Sequence, residues 1–176
     1  MKWSILYRSL ALWTTYHASQ VSRSRFLARC DELCRVGVRF SVGVVGVKES
    51  FEALAALRDE LPSEVYLWVN AYKGEASYYS TREREFLQGI DPLFEFNTRF
   101  YESAGRPCYT GSAVVSVDDE GAIRRCHFVS QQLGNIHSVG FEGELVDRPC
   151  PNQSCHCHIG YVHLQDLPLA EVFGSG

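Results

Sequence analysis

The chain has 176 residues, 45% of them hydrophobic, with a formal net charge of −4 and a pI near 5.9. That is enough apolar material for one packed domain, or for one core plus a small metal-stapled module. No basic block stands out, so nucleic-acid binding has no electrostatic support, and no run of about 18 apolar residues exists to form a membrane span.

The opening stretch MKWSILYRSL is charged and apolar, but Arg8 breaks its apolar run and no small-residue cleavage site follows. The expected location is therefore cytoplasmic. Lys2 to Arg8 (KWSILYR) reads as a short buried strand. Ala11 to His17 (ALWTTYH) reads as another, rich in β-branched and aromatic residues. The few residues between them are too short for the crossover of roughly ten residues that parallel neighbours need. The two strands form a hairpin, or something is missing between them.

A helix of about fourteen residues follows, capped by Ser22 or Ser24 and ended by Gly37. Phe26, Leu27, Cys30, Leu33 and Cys34 recur on it at helical spacing, so Cys30 and Cys34 read as core residues. Val38 to Val47 (VRFSVGVVGV) is nearly continuous in apolar residues, as in a parallel strand covered on both faces. Ser50 starts a second helix with a Phe51, Leu54, Leu57, Leu61 stripe, and Pro62 stops it. Val65 to Tyr72 (VYLWVNAY) is the next strand. Strand, helix, strand, helix, strand is α/β grammar. Thr14, Thr15, Tyr16, His17, Glu49 and Asn70 stand at or near the carboxyl ends of these strands, the edge where such sheets bind ligands. They serve a ligand there, or they bond to the connecting loops.

After Lys73 the pattern changes. Ser80 and Glu83 can form a capping box, and Asp91 with Pro92 starts another short helix through Phe94. Residues 101–111 are loop-like, which places a boundary near residues 100–107. Residues 1–100 form the α/β portion and residues 101–176 a cysteine-rich metal module. Within the module, Ser112 to Val117 and Ala122 to Phe128 read as a hairpin around Asp118, Asp119, Glu120 and Gly121.

Five of the seven cysteines fall in this second part: Cys108, Cys126, Cys150, Cys155 and Cys157. Intracellular thiols at such spacing bind metal more often than they form disulfides. Thiolates are soft ligands and suit an iron–sulfur cluster or zinc. A four-thiolate site leaves one thiol over, either Cys155 or Cys157. His127, His137, His156, His158 and His163 crowd the same region. In an extended backbone His156 and His158 face away from Cys155 and Cys157, so they read as neighbours of the site, with a mixed Cys/His zinc site as the rival.

The pair Cys108 and Cys126, spaced C-x12-G-x4-C within CYTGSAVVSVDDEGAIRRC, resembles the opening of the SPASM/twitch auxiliary-cluster region of radical SAM enzymes. The later group RPCPNQSCHCHIGYVHL continues that likeness, and Leu10 to Gly176 as a whole looks like the C-terminal part of a bacterial radical SAM family. Val44 to Glu49 is similar to the xIxGxxE strand motif of radical SAM barrels, whose backbone lies near the SAM adenine. The resemblance implies α/β architecture, a partial radical-SAM-type (β/α) barrel followed by a small β-hairpin and cysteine-rich module. It implies an auxiliary [4Fe–4S] cluster on Cys108, Cys126, Cys150 and one or both of Cys155 and Cys157.

The chain departs from the family in one decisive place. Radical SAM chemistry needs a CxxxCxxC loop, and none is present: Cys30 and Cys34 match only its first spacing, and position 37 is Gly37. The simplest account is an internal deletion joined near Ser9 and Leu10, which also explains the short connection between the first two strands. The expected protein is then a radical SAM family member that retains an auxiliary cluster but has no residues assigned to catalysis. Its SAM binding is doubtful and its substrate, a peptide or a small molecule, is unassigned. A zinc-binding interaction module and a stand-alone electron-transfer protein are the alternatives. A barrel that has lost strands exposes a sheet edge, which favours self-association.

Overall fold

The computed structural model describes residues 11–169 and Val172. The chain is mixed α/β, built from small sheets, and divides into two compact units at Arg99 and Phe100. The expected strand over Lys2 to Arg8 and the proposed junction at Ser9 and Leu10 lie outside the described residues. No helix among the described residues is long and apolar enough to cross a membrane.

The first unit runs β1 (Ala11–Thr15), α1 (Arg23–Val36), β2 (Arg39–Val45), α2 (Phe51–Glu60), β3 (Leu67–Asn70), α3 (Thr81–Ile90) and α4 (Phe94–Asn97). The three strands pair in parallel in the order β1-β2-β3, with Thr15 beside Gly43 and Val45 beside Asn70. The sheet is open, and the described residues contain no closed barrel.

Local chemistry accounts for each boundary. The Ser22 hydroxyl accepts from the Arg25 N–H at the start of α1. Gly37 ends α1 in the left-handed region at φ 74°, where a side chain is strained. Ser80 and Glu83 form the full reciprocal capping box of α3. The start of α2 differs from expectation, since a 3-10 turn over Lys48–Ser50 precedes it and the Ser50 side chain makes no cap bond.

The core packs Val42, Leu54, Leu57, Val69, Leu87 and Phe94. Gly43 is fixed by a close approach: a Cβ there would run into the Trp68 ring, so the indole crosses β2 where no side chain stands. The outer edge of β3 is closed by side chains. Asp91 accepts from the Val69 N–H at 2.8 Å, and the Asn97 Oδ1 accepts from the Ala71 N–H at 3.1 Å. These are two successive outward donors of one strand, so this edge offers little to a passing strand.

The expectation that Cys30 and Cys34 are both core residues holds only for the first. Cys30 is 2% exposed, and burial, reinforced by Cys34 and Asp31, pushes its thiol up to about 11. Cys34 is exposed. Their four-residue spacing places them near one another along α1, but the buried stripe has already turned away at Cys34. A maleimide reagent on the native chain is therefore expected to modify Cys34 rapidly and Cys30 only after denaturation, as read by peptide mass.

The second unit is irregular. It contains β4 (Tyr101–Glu102), β5 (Ser116–Val117), β6 (Ala122–Arg124), β7 (Gln132–Asn135), β8 (Ser154–Cys155) and the single turn α5 (His158–Tyr161). β5, β6 and β7 form an antiparallel sheet, and β4 pairs with β8. The hairpin is shorter than its sequence pattern predicts, and β7 joins it as a third strand. Asp118 tightens the turn by accepting from the Glu120 and Ala122 N–H groups and from Arg124 at 2.7 Å. Gly121 completes it at φ 79°. Ser112 to Val114 do not extend β5, because their N–H groups turn back onto the Tyr109 carbonyl.

Candidate metal centre

Cys108, Cys150 and Cys155 stand on backbone tied to another part of the second unit, and Cys126 and Cys157 stand at local turns. Cys108 is 5% exposed and forms an isolated bridge with Leu164. Its Sγ lies 3.2 Å from the Thr110 hydroxyl. Cys126 begins a turn closed by the Val129 N–H on its carbonyl, and its Sγ accepts from the Phe128 N–H at 3.4 Å. Cys150 donates to the Arg106 carbonyl at 3.0 Å and accepts from the Gly105 N–H at 2.8 Å. Cys155 lies in β8 opposite Tyr101. Cys157 caps α5, its carbonyl accepting from Gly160 and Tyr161.

Ser103 organises the loop between Cys150 and Cys155. It is fully buried, its N–H donates to the Gln153 carbonyl at 3.0 Å, and its hydroxyl donates to the Asn152 carbonyl at 2.7 Å. Arg106 adds a second tie, with a two-pronged ion pair to Asp166 at 2.6 and 2.9 Å. Tyr161 packs beneath, 1% exposed, with its ring 5.0 Å from that of Tyr101. None of these residues carries a metal-binding signature in sequence, since serine, arginine and tyrosine supply only position here.

The other four thiols of this unit lie within electrostatic reach of Cys155. Burial pushes the Cys155 thiol up to about 12, and Cys150, Cys126, Cys108 and Cys157 add to the rise in that order. Burial also raises Cys126; the Phe128 N–H and Arg125 pull it back, while Cys150 and Cys108 push it further up. Gly160 leaves room for this gathering, because a Cβ there would stand 2.7 Å from the Cys155 Sγ and 3.3 Å from the Phe128 ring. Among the described residues, no group of three or more His, Cys, Asp and Glu side chains is arranged to hold a metal ion. The thiols are thus neighbours rather than a closed shell around one ion.

The histidines have other surroundings. The His156 ring lies 4.8 Å from Phe100, and His127 meets Phe128 edge-on at 5.5 Å. The His158 Nδ1 and the Tyr161 hydroxyl share a hydrogen bond at 3.1 Å. Burial pushes His163 below the ordinary imidazole range. His137 lies against Gly121, where a Cβ would meet its ring at 2.8 Å.

The first unit contains a separate cavity of about 340 Å³ at the carboxyl ends of β1 and β2, lined by Tyr16, His17, Val44, Val45, Val47 and Ser50 among others. Of the strand-end residues singled out in the sequence, Tyr16 and His17 line it. Thr14 instead donates to the Ser41 carbonyl at 2.8 Å. Glu49 is exposed on the 3-10 turn. Gly46, in the xIxGxxE-like stretch, accepts from the Tyr79 hydroxyl at 2.6 Å, and a Cβ there would meet Val69 at 2.7 Å. That glycine is required by packing whatever the cavity holds.

Comparison with protein-family profiles, curated proteins and solved structures finds no match to this chain.

Proposed function

We propose that the second unit binds an auxiliary [4Fe–4S] cluster through Cys108, Cys126, Cys150 and Cys155, in a radical SAM-type chain that lacks the thiols for a SAM-cleaving cluster. The observation that carries this reading is that Cys150, Cys126, Cys108 and Cys157 all add to the raised pKa of Cys155. The donor set fits such a group: it is thiol-only, and the nearby rings of His156, His127 and His158 pack on Phe100, Phe128 and Tyr161. Cys157 stands at the N-cap of a helical turn, and this reading takes it as the thiol left over.

When bound, such a cluster supplies one-electron redox chemistry or an iron site for substrate. The chain's own residues do the positioning. Ser103 holds the loop that carries two of the thiols, Gly160 clears the approach to Cys155, and the bridge to Leu164 fixes the backbone at Cys108. Thiol ligands must lose their protons, so loading must overcome the raised Cys155 pKa and releases protons as it does so. The cavity at the ends of β1 and β2 is of small-molecule size and sits where open α/β sheets bind ligands. It is the remnant of a SAM subsite in this reading.

Iron, zinc and acid-labile sulfide analysis after anaerobic reconstitution tests the proposal. The expected result is about four irons and four sulfides per chain with broad absorbance near 400 nm. Stoichiometric zinc without sulfide replaces the reading with a structural zinc module. Absence of bound metal after reconstitution overturns both.

A further inference from the structure

Arg125 is an anomaly among the charged groups of the second unit. It is 4% exposed, yet no carboxylate pairs with it among the described residues. Arg106, Arg124 and Arg148 are each more exposed, and they pair with Asp166, Asp118 and Glu144. The Arg125 guanidinium donates to two carbonyls, those of Pro149 at 2.6 Å and Arg148 at 2.8 Å. Its Nε has no hydrogen-bond partner among the described residues. Arginine does not shed its proton in proteins, so burial cannot neutralise it. A buried charge without a counter-charge is strongly disfavoured, and two carbonyl dipoles offset only part of that cost.

The position of the side chain indicates what balances it. Arg125 immediately precedes Cys126 in the chain, and Pro149 immediately precedes Cys150. One side chain therefore joins the backbone at two of the proposed ligands. Gly111 is shaped for it: its φ is +95°, and a Cβ there would lie 3.0 Å from the Arg125 Cβ. A four-thiolate iron–sulfur cluster held by Cys126 and Cys150 would carry net negative charge, which the Arg125 cation would offset.

We propose that Arg125 is a positioning residue that locks Cys150 to the hairpin through the Pro149 carbonyl, and that its charge balances the cluster. This rests on the cluster reading above. The Nε–H is then the donor available to a cluster or cysteine sulfur. A cation beside such a cluster would favour the more negative, reduced state, because hydrogen bonding and net charge near the sulfurs set cluster potentials.

The test compares wild type, Arg125→Lys and Arg125→Met as full chains after anaerobic reconstitution. The readouts are iron and sulfide per chain, the rate of iron loss to a chelator, and the midpoint potential from titration with dithionite as electron donor. Arg125→Met is expected to lose iron about tenfold to a hundredfold faster, and its remaining cluster to reduce at a more negative potential. Arg125→Lys keeps the charge without the two-carbonyl fork. It is expected to lose iron faster than wild type while holding a potential near wild type. Arg125→Met with wild-type iron retention and potential overturns the role of Arg125 and leaves the cluster reading intact. If Arg125→Met does not fold, Arg125→Lys decides: wild-type iron retention removes the positioning role, and a markedly more negative potential removes the charge role. Wild-type protein that takes up no iron and sulfide overturns both readings.

Discussion

Replacing Cys155 with alanine is expected to reduce bound iron from about four per chain to a small fraction of that, whereas Cys157→Ala is expected to retain the full complement. The two cysteines are separated by one residue, so they undergo the same reconstitution and have nearly the same local sequence. Their structural positions differ. Cys155 is in the short strand opposite Tyr101, with its sulfur against Gly160 and the other thiols acting on it. Cys157 caps α5. Cys108→Ala, Cys126→Ala and Cys150→Ala are expected to behave like Cys155→Ala. Gly160→Ala should fall between the two classes. It adds only a methyl group and requires no forbidden backbone angle, but that methyl occupies the space held by the Cys155 Sγ. Iron and sulfide analysis of the variants reads the result. Equal iron loss from Cys155→Ala and Cys157→Ala would overturn the four-ligand assignment.

Asp91→Ala is expected to destabilise the first unit by about 3 kcal/mol, measured by urea denaturation. Asp91 is 2% exposed. Its carboxylate accepts from the Val69 N–H at 2.8 Å, from the Leu93 N–H at 2.9 Å and from the Tyr66 hydroxyl. Alanine removes all three acceptors at once and leaves a buried strand donor without one. The wild-type carboxyl also gives stability a pH dependence. Burial pushes its pKa above the ordinary carboxylate value, against the opposing pull of Tyr66, Val69 and Leu93. Between the unfolded and folded pKa values, the folded chain holds a proton that the unfolded chain has released. Stability from this group is therefore present below the unfolded pKa and declines as pH rises through that window. Asp91→Asn cannot titrate, so it is expected to flatten that part of the profile. An unchanged slope in Asp91→Asn would assign the pH dependence to other groups.

The parts of the fold legible in sequence are those governed by local chemistry. Ser22 and Gly37 bound α1 because a hydroxyl satisfies a free N–H and glycine tolerates a left-handed φ. Ser80 and Glu83 show the same logic, complete within four residues. The apolar stretch around Val42 and Val44 announces a strand covered on both faces, and parallel pairing with β1 and β3 follows from the helices between them. The Asp118–Gly121 turn is equally readable, because one carboxylate and one glycine do the work within it.

What lies beyond local pattern depends on long-range neighbours. Periodicity extends the hairpin through Phe128, but the chain leaves the ladder after Arg124, and the next residue reaches the carbonyls of Arg148 and Pro149. Helical spacing places Cys34 with Cys30, but only one of them is turned into the core. Strands read from sequence leave the outer edge of a sheet open, whereas Asp91 and Asn97 reach across from more than twenty positions away to close the edge at β3. The sequence by itself determined which residues offer soft thiol groups, because thiolate chemistry is a property of the side chain. Only the tertiary structure decided how they gather, through Ser103, Gly160 and Arg125, because bringing together thiols as far apart as Cys108 and Cys155 requires partners that no local pattern encodes.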